Sequence, residues 1–332
     1  MKMHAIVATG TGGVEVLQRQ EVDLPWPAGE HDVLVRLHAA ALNPADSFFR
    51  QLGGYVQGLH PFVLGQDGAG VVEAVGQAVT SVAPGDRVCF CYGGIGGAMG
   101  TYAEASVVPD ALLAKIPDGL SFETAAALPL VSITAWESLY DRARLARGEH
   151  ALIHAGAGGT GHVAIQLAKL RGAKVATTVS STNKAAFVEG LGADLVIRYR
   201  EEDFVEAVRR WCNGIDVALD NVGGETLLRT YRAMSVYGRI VTLMGGAGDD
   251  TELTAYNQNL SVINEMMLTP MWRGLFSRMV EHATIIRECL FLVASGKLNV
   301  HLDAQFGLSE IADAHSMLDR GGATGKIVLS TR

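Results

Sequence analysis

Ala151-Leu152-Ile153-His154-Ala155-Gly156-Ala157-Gly158-Gly159-Thr160-Gly161-His162-Val163-Ala164-Ile165-Gln166-Leu167-Ala168-Lys169 is the stretch whose reading decides the fold. A short apolar run passes into a glycine turn spaced G-x-G-x-x-G and then into an amphipathic helical pattern. Gly156 allows the tight turn, Gly158 lets the backbone approach a pyrophosphate, and Gly161 lets the helix lie close to the strand. The free N–H groups and positive dipole end of that helix then face the phosphates. Glycine is common here, at 39 residues, so the spacing alone is weak evidence. The strand before it and the helix after it are the context the mechanism needs. The stretch predicts dinucleotide binding at Gly156, Gly158, Gly159, Thr160 and Gly161.

Strand and helix patterns alternate beyond the turn. Lys174–Val179, Leu195–Ile197, Ile215–Leu219 and Arg239–Leu243 are β-branched or apolar runs. Between them, helical patterns cover Asn183–Leu191, Glu201–Trp211 and Glu225–Met234. That alternation predicts a parallel, doubly wound sheet. A β-like run from Leu260 to Leu268 follows, then a helix from about Phe276 to Ala294. Val300–Phe306 reads as strand, Leu308–Leu318 as helix and Lys326–Leu329 as a closing strand, which could return to complete the first domain.

Residues 1 to about 125 read differently. Val33–Ala40, Gly70–Val75, Arg87–Cys91 and Ala103–Val108 are short strand-like runs, with Pro84-Gly85-Asp86 as a turn before the third. Many short strands between turn signals suggest a barrel-like or rolled sheet. The second glycine cluster, Gly93 to Gly97, has no helix after it and reads as a hairpin loop. Ser121, Glu123 and Thr124 form a helix start, Pro129 interrupts that helix, and a second helical run covers Thr134 to about Ala143. The fold class is α/β, with a boundary near residue 124.

Composition narrows the function. The 332 residues are 48% hydrophobic and 19% charged, as expected of a compact chain of about two domains. The net charge of −8 and the scattered Lys and Arg argue against a nucleic-acid reader. Cys89, Cys91, Cys212 and Cys289 form no disulfide framework and suit a reducing compartment. The start lacks a signal-peptide core, and no uncharged run approaches the ~18 residues of a membrane span. A soluble, cytoplasmic protein with no membrane insertion is expected.

Cofactor choice rests on the second strand. A site for NAD usually places a carboxylate there for the ribose 2′-OH. This strand instead ends in Thr178-Val179-Ser180-Ser181-Thr182-Asn183-Lys184, with hydroxyls, an ammonium and no carboxylate. Ser180, Ser181 and Lys184 therefore predict NADPH over NADH. The other reading of the same residues is structural, with Ser181 capping a helix and Lys184 facing solvent.

In these residues the chain resembles the zinc-free quinone oxidoreductase (zeta-crystallin-like) branch of the medium-chain dehydrogenase/reductase superfamily. Gly148-Glu149, Leu152, the glycine turn, Gln166 and Lys169 fit that branch's signature around the nucleotide loop. So do Asn43-Pro44-Ala45-Asp46, Gly65-Gln66-Asp67-Gly68-Ala69-Gly70, Pro84 to Val88, Asp220-Asn221-Val222-Gly223-Gly224 and the ending Gly325-Lys326-Ile327-Val328-Leu329. The resemblance implies a GroES-like catalytic domain from both chain ends, 1–124 and 270–332, around a Rossmann NADPH-binding domain, 125–269. It implies homodimers or homotetramers, often joined through the last strand of the cofactor domain. It also implies Ser180 and Lys184 at the 2′-phosphate, Tyr199 near the adenosine, and Thr134, Met244 and Gly245 near the nicotinamide. Asn43 and Asp46 fall where the family lines the reacting end, as the candidate catalytic pair.

The sister branch holds a catalytic zinc. Where that branch has its first Cys this chain has Asn43, and its Gly-His-Glu is Gly65-Gln66-Asp67 here. Glutamine is a poor zinc ligand, the structural-zinc lobe would need four close cysteines, and His60 alone reads as a packing or surface residue. No metal is expected.

Without a metal, hydrogen bonds must stabilise the charge that develops as an acceptor takes a hydride. Asn43 can donate through its amide and Asp46 can orient it; the plainer reading is that Asn43 turns the chain before Pro44. Related reductases often carry Tyr two residues after that Asp, where this chain has Phe48-Phe49. Tyr55 or solvent is left as the proton source, and Phe48 and Phe49 read equally as core or as a quinone-stacking wall. Met266-Met267 and Pro270-Met271-Trp272 read equally as cleft mouth or subunit interface. Three functions follow: an NADPH-dependent quinone reductase passing hydride or single electrons, a reductase of alkenal, enone or enoyl double bonds, and a non-enzymatic NADPH-binding structural or regulatory protein.

Overall fold

The computed structural model describes residues 1–27, 29–53, 61–95, 98–246 and 249–331. Tyr55, His60, Gly96 and Gly97 lie outside the described residues. Two compact units emerge, Met1–Leu130 with Leu268–Arg332, and Val131–Met267. The divisions fall later than residue 124 and earlier than 269. The helix after Ser121 buries Ala125, Ala126 and Ala127 and packs on strands of the first unit.

The first unit begins with β1 (Lys2–Ala8), β2 (Leu17–Asp23) and β3 (Asp32–Ala41), then α1 (Pro44–Leu52). It continues with β4 (Phe62–Val63), β5 (Asp67–Val75), β6 (Arg87–Cys91), β7 (Ala105–Pro109), β8 (Ala114–Lys115) and α2 (Phe122–Ala127). Ser121 caps α2, its side chain accepting from the Thr124 N–H. Helix α3 starts at Pro129, not Thr134, and runs to Trp136; Glu137–Arg142 then winds as a π-helix. Proline at the first helical position loses no hydrogen bond, so Pro129 opens this helix where the sequence suggested a kink.

The second unit contains β9 (His150–Ile153), α4 (Gly159–Leu170), β10 (Lys174–Val179), α5 (Thr182–Gly190), β11 (Leu195–Arg198) and α6 (Phe204–Trp211). It then adds β12 (Ile215–Asp220), α7 (Gly224–Tyr231), β13 (Met234–Thr242), α8 (Thr254–Asn257) and β14 (Ser261–Asn264). All six strands are parallel, ordered β11-β10-β9-β12-β13-β14, the doubly wound arrangement. Buried on both faces, these strands need no polar alternation, and Ala151, Leu152 and Ile153 are all inaccessible. Leu152, Ala176, Ile197, Ala218 and Ile240 meet Val205 and Val208 of α6 and Leu227 and Tyr231 of α7 in one core. Helix α7 stops at Tyr231, short of Met234, because Met234 pairs with Ile215 in the sheet. The run 260–268 yields only the short β14, which pairs with β13.

The chain then returns to the first unit with α9 (Thr269–Arg273), α10 (Phe276–Ala294), β15 (Leu302–Gly307), α11 (Ile311–Arg320) and β16 (Lys326–Ser330). β16 pairs antiparallel with β3, so the C-terminal strand completes the sheet β15-β16-β3-β5-β6-β8, with β7 also on β3. β1, β2 and β4 form a second, smaller sheet. Inward residues Val33, Val35, Leu37, Val72, Val88 and Phe90 make the core, covered by Met279 and Val280 of α10.

Candidate functional site

The glycine turn is shaped by what cannot fit. A Cβ on Gly156 would lie 1.9 Å from Thr177 Oγ1, and one on Gly161 would lie 2.4 Å from the Ala155 carbonyl. These two glycines let α4 close onto β9. At Gly158, the residue before α4, the only atom a Cβ would meet is the Ala155 carbonyl, at 3.3 Å. Ala155 itself has a left-handed backbone, φ 51°.

A buried network holds that conformation. Thr230 Oγ1 donates to the Thr226 carbonyl at 2.7 Å and so accepts from His154 Nε2 at 2.9 Å. Thr178 Oγ1 accepts from the Ala155 N–H at 3.1 Å and donates to His154 Nδ1 at 3.2 Å. These roles fix His154 as the neutral imidazole protonated on Nε2. Burial pushes its pKa down to about 4, against the pull of Asp220. Asp220, ending β12, accepts from the Val222 and Gly223 N–H groups and from Thr242 Oγ1. Asn221 Nδ2 donates to the His154 carbonyl at 2.7 Å. The Asp220–Gly224 motif thus ties β12 to the glycine turn where the strand order reverses, the usual ligand crevice of such sheets.

Ser180, Ser181 and Lys184 follow β10, and Ser181 Oγ accepts from the Lys184 N–H at 3.4 Å as the cap of α5. Tyr199 follows β11, half exposed, its N–H bonded to the Val179 carbonyl. Arg198, which the sequence reading missed, pairs with Val179 in the sheet register and donates to Thr182 Oγ1 at 3.1 Å, while facing Glu201 at 2.8 Å. A cavity of about 520 Å³ opens here, lined in part by Ala155, Thr178, Tyr199, Arg200, Val222 and Arg229. Met244 and Gly245 follow β13, with Met244 exposed and Gly245 left-handed. The glycine turn, Ser180–Lys184, Tyr199 and Met244-Gly245 therefore share the C-terminal ends of the parallel strands. Thr134 lies instead on α3, buried.

The first unit holds a buried polar cluster. Asn43 precedes α1, and Asp46 turns back so that Oδ2 accepts the Asn43 backbone N–H at 2.8 Å. The same carboxylate accepts from the Tyr102 hydroxyl at 2.8 Å and from Gln66 Nε2 at 2.8 Å. Asp46 thus bonds the Asn43 backbone, not its side-chain amide. That amide is held by Asp67, whose Oδ2 accepts from Nδ2 at 2.9 Å, and by Lys326, whose Nζ donates to Oδ1. A carboxylate only accepts and an ammonium only donates, so the amide has one possible orientation. Asp67 Oδ1 also accepts the Leu130 N–H at 2.9 Å.

Burial sets the charges of this cluster. It pushes Asp46 up to about 6 against the hydrogen bonds it accepts, with Asp67 adding repulsion. It also raises Asp67 and lowers Lys326, each countered by the other's charge. The Tyr102 phenol and Cys91 thiol are driven well above their usual ranges, so both keep their protons.

Residues 29–118 match the alcohol dehydrogenase GroES-like domain, and residues 191–329 match the zinc-binding dehydrogenase family. The chain is 33% identical over 324 residues to a quinone oxidoreductase of Pseudomonas aeruginosa, covering 96% of each. The chain belongs to the quinone oxidoreductase branch of the medium-chain dehydrogenase/reductase superfamily. Its fold matches a quinone oxidoreductase structure from Coxiella burnetii, with a TM-score of 0.87, 30% identity and full coverage of both chains. A mycobacterial protein solved in complex with NADPH gives a TM-score of 0.87 at 30% identity, covering 99% of this chain and 100% of its own.

Membership makes this chain an enzyme of quinone oxidoreductase type, with a nicotinamide cofactor and a small-molecule substrate. The zinc implied by one matched family does not suit the residues present. Asn43 and Asp67 are committed to each other and to an ammonium. Among the described residues no three His, Cys, Asp or Glu side chains gather to hold a metal, and no helix is long and apolar enough to cross a membrane. Tyr102 and Lys326 were missed as members of the cluster. The available signal was a lysine opening the otherwise apolar strand Ile327-Val328-Leu329.

Proposed function

We propose that this quinone oxidoreductase-type enzyme is NADPH-dependent and zinc-independent and reduces quinones by hydride or electron transfer. The observation that carries the reading is the end of β10, where Ser180, Ser181 and Lys184 follow the strand with no carboxylate among residues 178–184, and Arg198, paired with Glu201, lies alongside. A 2′-phosphate would meet hydroxyls and cations there, whereas a carboxylate would repel it. NADPH, when bound, supplies the reducing equivalent. The glycine turn and the α4 N-terminus would hold the pyrophosphate, Tyr199 the adenosine end, and Thr134, Met244 and Gly245 the nicotinamide end.

In this reading Asn43 is the hydrogen-bond donor toward the acceptor, its amide aimed by Asp67 and Lys326, while Asp46 anchors the backbone before α1. The first unit is the GroES-like catalytic domain and the second the NADPH-binding domain, in a cytoplasmic homodimer or homotetramer. An NADPH-oxidation screen tests the reading. It predicts turnover with 1,4-benzoquinone or 9,10-phenanthrenequinone exceeding that with acrolein or crotonyl-CoA. Turnover confined to the last two would make it a double-bond reductase, and tight NADPH binding with no turnover would make it a binding protein.

A further inference from the structure

Lys326 brings a positive charge into the polar cluster and is only 3% exposed. The pairing of β16 with β15, Lys326 opposite Leu302, sets its Cα, and the preceding Gly325 has no room for a side chain, since a Cβ would lie 2.3 Å from the His301 carbonyl. The ammonium is thereby delivered to the loop after β3. It finds the Leu42 carbonyl at 2.8 Å, Asn43 Oδ1 in hydrogen-bond contact and Asp67 Oδ2 at 3.6 Å. Cys91 is the register partner of Asp67 across β5 and β6, and its thiol feels both Asp67 and Lys326. Gln66 Oε1, fully buried in the same cluster, has no hydrogen-bond partner.

The Leu42 carbonyl, the Asn43 amide oxygen and the Asp67 carboxylate meet around one point, with the Cys91 thiol hydrogen-bonded to Asp67 beside them, an oxygen-rich set that calls for a cation. Here a tethered ammonium stands at that point. Without it, Asp67 would be an uncompensated buried charge and the Asn43 amide oxygen would face nothing it could accept from.

We propose that Lys326 is the built-in cation of this site, taking the place of a bound metal ion: it orients the Asn43 amide, balances Asp67 and keeps divalent metals out. The proposal rests on the zinc-independent reading above and supplies its physical cause.

The test uses the full-length protein, purified and dialysed, with zinc chloride as the probe. Metal content is read by elemental analysis and affinity by calorimetry. Wild type should carry and bind no stoichiometric zinc. Lys326→Met, of similar length and without the charge, should bind one zinc per chain at least about 100-fold more tightly than wild type. Lys326→Met/Asp67→Asn, neutral again, should fold and bind none. If Lys326→Met is unfolded as purified, zinc chloride should restore its fold.

Stoichiometric zinc in wild type would overturn the zinc-independent reading and the proposal together. A zinc-free wild type beside a Lys326→Met protein that neither binds zinc nor is refolded by it would overturn the proposal alone. Zinc binding by the double variant would show that Asp67 is not the charge being balanced, and would overturn it as well.

Discussion

In the unit of residues 131–267 the polar groups that await a ligand are mostly backbone, and side chains serve by being small. In the other unit the polar groups are side chains, charged and neutral, and they meet from opposite ends of the chain. Gly156 and Gly161 act within one turn of sequence, whereas Asn43 is aimed by Asp67, 24 positions on, and by Lys326, 283 positions on. The glycine turn draws its function from geometry that any neighbouring charge leaves intact. The cluster draws its function from a charge balance that one substitution would upset.

Filling the glycine turn should have the largest effect. Gly156→Ala places a methyl against Thr177 Oγ1, itself inaccessible and bonded to the Ile153 carbonyl at 2.7 Å. Overpacking of that kind costs about 3 kcal/mol or more, so NADPH affinity measured by fluorescence should fall ~100-fold or more. Unchanged affinity would show that the turn tolerates a side chain and does not bind through its close approach.

Charge inside the two units gives opposite pH dependences. Asp46 titrates near 6 in the fold against 3.8 in the open chain, so the folded state holds the extra proton and stability is lost as pH rises through 6. His154 titrates near 4 against 6.5, so its contribution is lost as pH falls from 6.5 toward 4. Asp46→Asn should isolate the first effect. Its Oδ1 can accept from the Asn43 N–H and the Tyr102 hydroxyl, while its NH₂ meets the unpartnered Gln66 oxygen after that amide turns over. Urea denaturation should show the variant gaining on wild type between pH 4 and pH 7, on the order of 2–3 kcal/mol. Parallel stability curves would show that burial does not hold Asp46 as described.

The smallest effect concerns cofactor choice. A charge-assisted hydrogen bond is worth about 1.5–3 kcal/mol, so Lys184→Ala should weaken NADPH roughly 10- to 100-fold and spare NADH. Equal losses with both cofactors would remove Lys184 from the 2′-phosphate.

Much of the second unit was legible because its signals are local. A turn, an apolar strand and an amphipathic helix lie within Ala151–Lys169, and the alternation after it names the sheet. Errors there fell at element ends, as at Tyr231 and β14, where a pairing partner distant in sequence decides where the pattern stops. The first unit was legible only in outline. Nothing near Asn43 announces Lys326, and Tyr102 has no local pattern that points to Asp46. The capping position of Asn43 was readable from Pro44, yet its amide serves the buried cluster rather than the helix. Arg198 escaped notice because its closeness to Thr182 comes from strand register, not from sequence spacing.

The most direct measurement is the initial rate of NADPH and of NADH oxidation with 9,10-phenanthrenequinone, before and after exhaustive chelation. We predict kcat/KM at least about tenfold higher with NADPH, the gap expected of one charged 2′-phosphate contact, and no change on chelation. Equal or faster turnover with NADH, or activity lost to the chelator and restored by zinc, would contradict it.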